Sequence, residues 1–526
     1  MNKKLSLLLF PLILAIGCSS NNLSNGENGE PEKPIDEPFE VVEKGKLLSP
    51  NYGFEIRNSK EEFTYHDLFN LNNKVEVTIK ADKEELQKIE DDKQYGRKSE
   101  IYHLAKEVTI SIINNGRLFT WVLENVGIRQ KGNTSREAIF YDDVLNTHNH
   151  YKLSFDETFT DKEMYSEEFI AEHGNKEYGD RTFLGLSGLD FKWNRNLDST
   201  HIKEVYASYM YKSAGVIAQN VGLSSLCINT DGYYYDFGLC FIYEQTSKSM
   251  IKEKFSSSEE YLNTPSWDIE KSGDYGVPNK KYGDYYKVGY GAGDGYGYGG
   301  GGDMSLESIK YNRVGVKTDI YGKAYPVYER KTNKDSDYND VLLKEMVSTL
   351  DGGSYSEIDK KVDLEYFAIE EAVNYFIGNP DSCRYNYNNY MMYFRRTDGK
   401  MMLIPIDNDR TFGVGHTWDK GVTFGANEGV TPFDDKDVNW NRNRNNLFLN
   451  TLFARGNNAC KETYEQYIRL FADSVWMKNE TFVNFYNIAK KTYQGVEQFD
   501  LSGGNDNISF ESYINIKLKS VKSELK

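Results

Sequence analysis

The sequence predicts an α+β protein with two lobes and a cleft between them. Residues 74–156 contain runs in which apolar and polar side chains alternate, which is the period of half-buried strands. A helical pattern and a hairpin pattern follow at 198–244, and apolar positions recur at helical spacing from residue 335 onward. An order that runs from mostly β to mostly α is typical of a β-rich lobe followed by a helical lobe.

The predicted strands of the first part are short and alternating. They are "KVEVTI" (74–79), "EVTISII" (107–113), "LFTWVLENVGIRQKGNTSR" (118–136), which ends in a loop around Gly132, and "YKLSFD" (151–156). A helix is predicted over 198–214, where Asp198 or Ser199 can cap the first turn.

A hairpin is predicted over 226–244, "LCINTDGYYYDFGLCFIYE", because Asp-Gly is a strong two-residue turn signal. Cys227 and Cys240 flank this turn, and the sequence leaves open whether they form a disulfide.

Residues 273–302 are low in complexity, with 12 Gly and 7 Tyr. Such a composition cannot build a core of its own, so we expect a mobile insertion.

The last part is predicted to be helical. Residues 335–350 and 359–379 both show helical patterns, and the second places Leu364, Phe367 and Val373 on one apolar face. Further helical patterns are "NNLFLNTLFARG" (445–456), "CKETYEQYIRLFADSVW" (460–476) and "FVNFYNIAKKTY" (482–493).

The first residues indicate export. Lys3 and Lys4 precede an apolar run over 5–16 that is too short to span a membrane, and "LAIGC" ends at Cys18 in a pattern typical of a bacterial lipobox. We therefore expect a lipoprotein signal over 1–18, lipidation of Cys18, and a cell surface or periplasm-facing chain held to the membrane by lipid. A plain secretion signal is the alternative. Residues 19–40 are polar and rich in Pro, Gly and Glu, which predicts a flexible tether.

The charge argues against nucleic acid as a partner. Lys plus Arg is 63 and Asp plus Glu is 80, which gives a net charge of −17 over 526 residues. An acidic surface repels phosphate backbones.

The stretch with the most chemistry is "GNPDSCRYNYNNYMMYFRRTDGKMMLIPIDNDRTFG" (378–413). Two strand-like runs flank Asp398-Gly399, which predicts a two-residue turn in which Tyr390 opposes Asp407 and Asn388 opposes Asp409. This register brings four polar side chains to one end of the hairpin, just past the end of a helix: Asp381, Asn386, Asp407 and Asp409.

Carboxylate and amide oxygens suit a hard cation such as Mg²⁺, and a further carboxylate can accept a proton from an attacking hydroxyl. With a lysine, this is the set of groups that phosphoryl transfer uses. Asp381 and Asn386 also have the D-x-x-x-x-N spacing of a protein-kinase catalytic loop. The alternative is a calcium-binding or simply solvated acidic loop.

Four ordered motifs resemble the CotH kinase family, the spore coat protein H-like atypical protein kinases. "GIRQKGNTSR" (127–136) is similar to the Gly-Asn-x-Ser element of the family, and "YKLSFD" to its following strand with a lysine. "INTDGYYYDFGLCFIYEQ" (228–245) resembles its paired strands and glutamate, and 378–413 resembles its catalytic region.

The resemblance implies a kinase-like fold that uses ATP and Mg²⁺ or Mn²⁺ to phosphorylate Ser or Thr of an acceptor protein that remains unknown. It implies that Asp381 is the catalytic base, that Lys152 contacts phosphate, and that Asn386, Asp407 and Asp409 are metal ligands. The residues that it implies around the nucleotide are Gly132, Asn133, Thr134, Ser135, Lys152 and Glu244, the last without a defined role.

The expected organisation is a signal (1–18), a tether (19–40), an N-terminal extension (41–73), a kinase-like domain (74–475, with the insertion at 273–302) and C-terminal helices (476–526).

Another interpretation of the function is a surface binding or adhesion protein on the same scaffold. A hydrolase finds little support, because H-E-x-x-H, G-x-S-x-G and Walker A motifs are absent from the sequence, although a glycosidase carboxylate pair stays open.

Overall fold

A computed structural model describes most of the chain. The described residues are 42–50, 53–94, 101–132, 135–255, 283–288, 302–312, 317–318, 324–333, 340–395, 398–414, 458–502 and 508–525. The described residues belong to one compact unit, 36–526, and the N-terminal residues 1–41, which include the predicted signal with Cys18 and the predicted tether, lie outside the described part.

Seven strands close into a barrel in the order β1-β2-β3-β6-β7-β9-β8. All neighbours in it are antiparallel except β1 and β8, which are parallel. The strands are β1 (Lys74–Lys80), β2 (His103–Asn114), β3 (Arg117–Gln130), β6 (Tyr151–Ser154), β7 (Gly188–Trp193), β8 (Val221–Thr230) and β9 (Tyr233–Glu244). A short hairpin of β4 (Phe140–Tyr141) and β5 (Val144–Leu145) lies between β3 and β6.

The sequence pattern explains most of the barrel. Along β1 every second residue is buried, so Val75, Val77 and Ile79 face the core, as their alternation predicts. The predicted turn between β8 and β9 is confirmed, because Asp231 and Gly232 both have positive φ, at 52° and 83°. Cys227 and Cys240 are both free, and they are not opposite each other: Cys227 pairs with Asp236 and Cys240 with Ser224.

A second sheet has the order β13-β10-β14-β15. Its strands are β10 (Asp284–Val288), β13 (Tyr328–Arg330), β14 (Tyr390–Phe394) and β15 (Met401–Pro405); β11 (Lys317–Thr318) and β12 (Ala324–Tyr325) form a separate pair. Strand β10 corrects the expectation of a mobile insertion for the six residues 283–288, whereas 273–282 and 289–301 lie outside the described part. Tyr285 and Tyr286 are fully buried against this sheet, because these two tyrosines and Val288 supply apolar area that the glycines around them lack.

The helices of the first part are α1 (Lys83–Gln94), α2 (Glu167–His173), α3 (Lys203–Ser213), α4 (Lys248–Lys254) and α5 (Leu306–Asn312). Those of the second are α6 (Val341–Gly352), α7 (Tyr355–Ile358), α8 (Leu364–Ile377), α9 (Cys383–Asn386), α10 (Asn458–Ala472), α11 (Asn479–Thr492) and α12 (Phe510–Glu524). Helix α8 is buried on nearly every side, and not only on the predicted apolar face, because Glu370, Glu371 and Asn374 are also buried. Residues 445–456, predicted to be helical, lie outside the described part.

The register of the β14–β15 hairpin differs from the prediction by two residues. Tyr390 pairs with Pro405 and not with Asp407, and Phe394 pairs with Met401. The turn is longer than Asp398-Gly399, because the amide of Gly399 donates to the carbonyl of Arg395 and the amide of Arg395 donates to that of Lys400. A shift of two residues keeps the same side chains on the same face, so Asp407 still follows β15 at the expected end.

Two hydrophobic cores lie within the compact unit. One fills the barrel, and the other joins the second sheet to α3, α8, α10, α11 and α12. Within the described ranges, no helix is both long enough and apolar enough to span a membrane.

Candidate active site

One face of the barrel carries a cluster of lysines around Asp190. The register β6-β7-β9 pairs Lys152 with Asp190 and Asp190 with Tyr243, so these three side chains share a face. Lys131 Nζ lies 2.8 Å from Asp190 Oδ2, and Lys152 Nζ lies 3.9 Å from Oδ1. Burial acts to raise the pKa of Asp190, but Lys131 and Lys152 outweigh it and lower this pKa to about 2. Asp190 is therefore ionised and anchors the lysines.

Lys192 lies two residues farther along β7, on the same face. Its side chain is only 7% exposed, and its Nζ contacts the carboxylate of Asp407 and lies 3.6 Å from Asp409 Oδ2. Burial lowers the pKa of Lys192, while Asp409 and Glu204 act to raise it. The chain thus places a desolvated ammonium group between the barrel and the loop that follows β15.

Glu204, in the first turn of α3, faces the same lysine. The hydroxyl of Tyr243 donates to Glu204 Oε2 over 2.5 Å, and Lys131 and Lys192 each lie 4.7 Å from the centre of the Tyr243 ring. Burial raises the pKa of Glu204 to about 7, although Lys192 acts to lower it. The helix predicted over 198–214 begins only at Lys203, and its N-cap residue Ile202 makes no side-chain cap hydrogen bond; the Asp198 carboxylate, outside the helix, accepts the amide of Lys203 over 3.1 Å.

Asp381 lies in the loop after α8, which ends at Gly378 in a left-handed conformation. The side-chain amides of Asn388 and Asn389 donate to the Asp381 carboxylate over 3.2 and 3.0 Å. Asn379 links this loop to the next one, because its Oδ1 accepts the amide of Asp381 over 3.0 Å and its Nδ2 donates to the carbonyl of Asp407 over 3.4 Å. The two loops with carboxylates are therefore joined at one end of the hairpin.

The predicted phosphate loop is partly described. Gly132 has φ of 113°, and a Cβ there would collide with Ser135 Oγ, so the position needs glycine. Ser135 Oγ lies 3.3 Å from Nδ1 of His150, whose pKa is lowered well below its usual value, first by burial and then by Lys192 and Lys131. Asn133 and Thr134 lie outside the described residues, as does the side chain of Asn386, whose backbone ends α9.

Glu244 is the predicted residue that the structure does not bring to this face. It pairs with Leu189, so it lies on the opposite side of the sheet from Asp190 and Tyr243. It is fully buried, and its Oε2 accepts from Asn220 Nδ2 over 2.7 Å and lies 3.1 Å from Lys254 Nζ. Sequence reasoning, in turn, missed Asp190, Lys192 and Glu204. The signal for β7 was the alternation in "LDFKW" (189–193).

The donor chemistry of Asp407 and Asp409 is the kind that a hard divalent metal prefers. Asp407 and Asp409 are 35% and 31% exposed, both lie against Lys192 Nζ, and they offer only oxygen donors. Among the described residues no group of three or more His, Cys, Asp or Glu could hold a metal. Two carboxylates suffice for Mg²⁺ when phosphates of a nucleotide complete its shell.

The fold and the site define an α+β protein in which a buried lysine is set between one acid of a helix and two aspartates of a loop. The family model of the CotH kinase protein matches residues 128–484, which is most of the chain. The chain therefore belongs to the CotH kinase family, and the predicted resemblance is confirmed. Strands β1 and β2 precede the matched segment. No curated protein matches the chain.

Proposed function

We propose that this chain is a surface-anchored atypical kinase that transfers the γ-phosphate of ATP to a Ser or Thr hydroxyl of a protein. The observation that carries the proposal is Lys192, a buried lysine held by Asp407 and Asp409 and facing Glu204. Protein kinases place a strand lysine between a helix glutamate and a metal-binding aspartate in this way. Membership in the CotH kinase family supports kinase activity in general.

In this proposal Lys192, rather than Lys152, contacts the phosphates of ATP. Lys152 is 3.9 Å from Asp190, and together with Lys131 it adds positive charge beside the loop at Gly132. Asp407 and Asp409 would hold Mg²⁺ or Mn²⁺, with Asn386 as a further ligand. When bound, the metal neutralises charge on the phosphates.

Asp381 acts as the base. Asn388 donates to one oxygen of its carboxylate and Asn389 to the other, which fixes the orientation of the group that would accept the hydroxyl proton. The acceptor oxygen forms a bond to the γ-phosphorus, the bond to ADP breaks, and the hydroxyl proton passes to Asp381. Lipidation of Cys18 and residence at the cell surface or facing the periplasm are part of the same proposal, and they rest on the pattern at residues 1–18.

The test is phosphate transfer from γ-labelled ATP by residues 36–526 with Mg²⁺ or Mn²⁺, to the chain itself or to added proteins. We expect label with the wild type and a loss of at least about 100-fold with Asp407→Asn and with Lys192→Met. Lys152→Met is expected to lose less than about tenfold, because its ion pair is longer. Asp143→Asn, an exposed aspartate with a side chain 91% exposed, is the control.

The alternative is a non-catalytic binding or adhesion protein on the same scaffold. It becomes the better account if the wild type transfers no label and calorimetry detects no metal-dependent ATP binding. Equal activity of Lys192→Met and the wild type would reject Lys192 as the phosphate contact, even if transfer occurs.

A further inference from the structure

The backbone of Asp407 has a conformation that needs support. Its φ is 56°, in the left-handed region, which costs free energy in a residue other than glycine. The residue before it is fixed on one side, because the amide of Ile406 donates to the carbonyl of Asn389 over 3.0 Å. Asn379 binds the carbonyl of Asp407, as described above. The amide of Asp407 points to the barrel side.

Gln219 receives that amide. Its Oε1 accepts the N–H of Asp407 over 3.4 Å, and its own backbone N–H donates to the carbonyl of Pro405 over 3.5 Å. Gln219 is only 4% exposed and lies in the connection between α3 and β8. It therefore contacts the loop of Asp407 from the barrel, at two backbone groups.

The other end of the Gln219 amide is anchored. Its Nε2 donates to the carbonyl of Glu244 over 2.6 Å. A neutral carboxamide can donate to one backbone group and accept from another at the same time. An ionised carboxylate could only accept, and a leucine could do neither.

The anchor itself is held by several hydrogen bonds. The amide of Glu244 donates to the carbonyl of Asn220 over 3.0 Å, and the Glu244 carboxylate accepts from both nitrogens of Asn220, over 3.2 and 2.7 Å. Lys254 completes the arrangement with an ion pair of 3.1 Å. Residues 219–220 and the end of β9 are thus tied together at several atoms, and the side chain of Gln219 extends this unit to Asp407.

We infer that Gln219 is a positioning residue for Asp407, and that Glu244 supports it from behind the sheet instead of touching the nucleotide. The inference rests on the proposed function, because Asp407 is a metal ligand there. Gln219 keeps the Asp407 carboxylate at the site where Lys192 meets it. Without the Gln219 side chain, Asp407 and Asp409 are still present as ligands, but the loop that carries them is free to move.

The test compares Gln219→Leu with Ser208→Ala in residues 36–526. Ser208 is a matched control, because its hydroxyl donates to the carbonyl of Gln219 over 2.9 Å and makes no hydrogen bond to Asp407 among the described residues. We measure Mn²⁺-dependent binding of a non-hydrolysable ATP analogue by calorimetry, and hydrogen exchange of residues 405–409 without ligand. Gln219→Leu is expected to weaken binding about tenfold and to speed exchange of this segment, and Ser208→Ala to change neither.

Gln219→Glu keeps the acceptor for Asp407 but loses the donor to Glu244. Its affinity for the ATP analogue and its exchange rate over 405–409 should therefore lie between those of Gln219→Leu and the wild type. Wild-type binding and exchange in a folded Gln219→Leu variant would overturn the inference while the proposed function stands. If the wild type binds no metal-nucleotide complex, the proposed function fails first, and the role of Gln219 in phosphate transfer falls with it.

Discussion

Glu204 is an acid that the fold takes out of water. Its side chain is buried, and burial raises its pKa to about 7, although Lys192 opposes this. Because the pKa in the folded chain lies above the ordinary value of 4.5, the folded state binds this proton more tightly than the unfolded state. The contribution of Glu204 to the free energy of unfolding is therefore greatest below pH 4.5, and it is lost as the pH rises through 7.

Replacing Glu204 by Gln should remove this pH dependence. Gln keeps an oxygen for the Tyr243 hydroxyl but does not titrate. The free energy of unfolding of Glu204→Gln minus that of the wild type should therefore rise between pH 4.5 and 7, by up to about 3 kcal/mol, and level off above it. Urea unfolding at pH 5, 6, 7 and 8 measures this. A difference that stays constant with pH would contradict the assignment.

Residue chemistry was only partly predictable from sequence. Asp381, Asp407 and Asp409 could be predicted as site residues because their oxygens cluster in a short stretch at one end of a hairpin. Lys192 was missed because a lysine between apolar neighbours in a strand usually faces solvent. It becomes buried here because α3 and the loop after β15 cover that face of the barrel, which depends on residues far away in sequence.

At the scale of elements, local patterns predicted strands and helices better than their pairing. The alternation in β1 and the Asp-Gly turn before β9 correspond to the structure directly. The register of β14 and β15 was displaced by two residues, because Arg395 binds Asp398 and Asp363 and so opens a longer turn. Strand β10 was not predicted, because the glycines around it give this segment a low-complexity composition.

Asp363 connects two elements that position the site. Its carboxylate accepts the amide of Tyr366 over 3.1 Å, which caps α8, and accepts from Arg395 over 2.7 Å, which ties α8 to the hairpin. Asp363→Ala should therefore lower the free energy of unfolding by about 2 kcal/mol. Asp359→Ala is the control, because Asp359 is 46% exposed and lies 3.7 Å from Lys400, so it should cost less than about 0.5 kcal/mol.

Urea unfolding distinguishes these two aspartates. Asp363→Asn, which keeps the cap but loses the ion pair, should fall between Asp363→Ala and the wild type. Equal costs for Asp363→Ala and Asp359→Ala would show that the cap and the link to Arg395 contribute nothing beyond an ordinary surface pair.

At the scale of the whole molecule, an N-terminal strap (residues 42–50) crosses the helical part. The amide of Gly45 donates to the Tyr467 hydroxyl over 2.9 Å, and Lys44 lies 2.9 Å from Glu365. The amide of Leu48 donates to the carbonyl of Ser213 over 2.8 Å, and Trp476 Nε1 donates to the carbonyl of Leu48 over 2.8 Å. The strap thus joins the C-terminal end of α3, the helix whose first turn carries Glu204, to the helical core.

The backbone of Leu48 should matter more than its side chain. The side chain is 52% exposed, so Leu48→Ala should change the free energy of unfolding by less than about 0.5 kcal/mol. Leu48→Pro removes the N–H that Ser213 accepts, and should cost about 2 kcal/mol. It should also shift the fluorescence of Trp476, which is 2% exposed, towards the red as its cover loosens. If both variants unfold at the same urea concentration as the wild type, the strap is attached to the helical core without stabilising it.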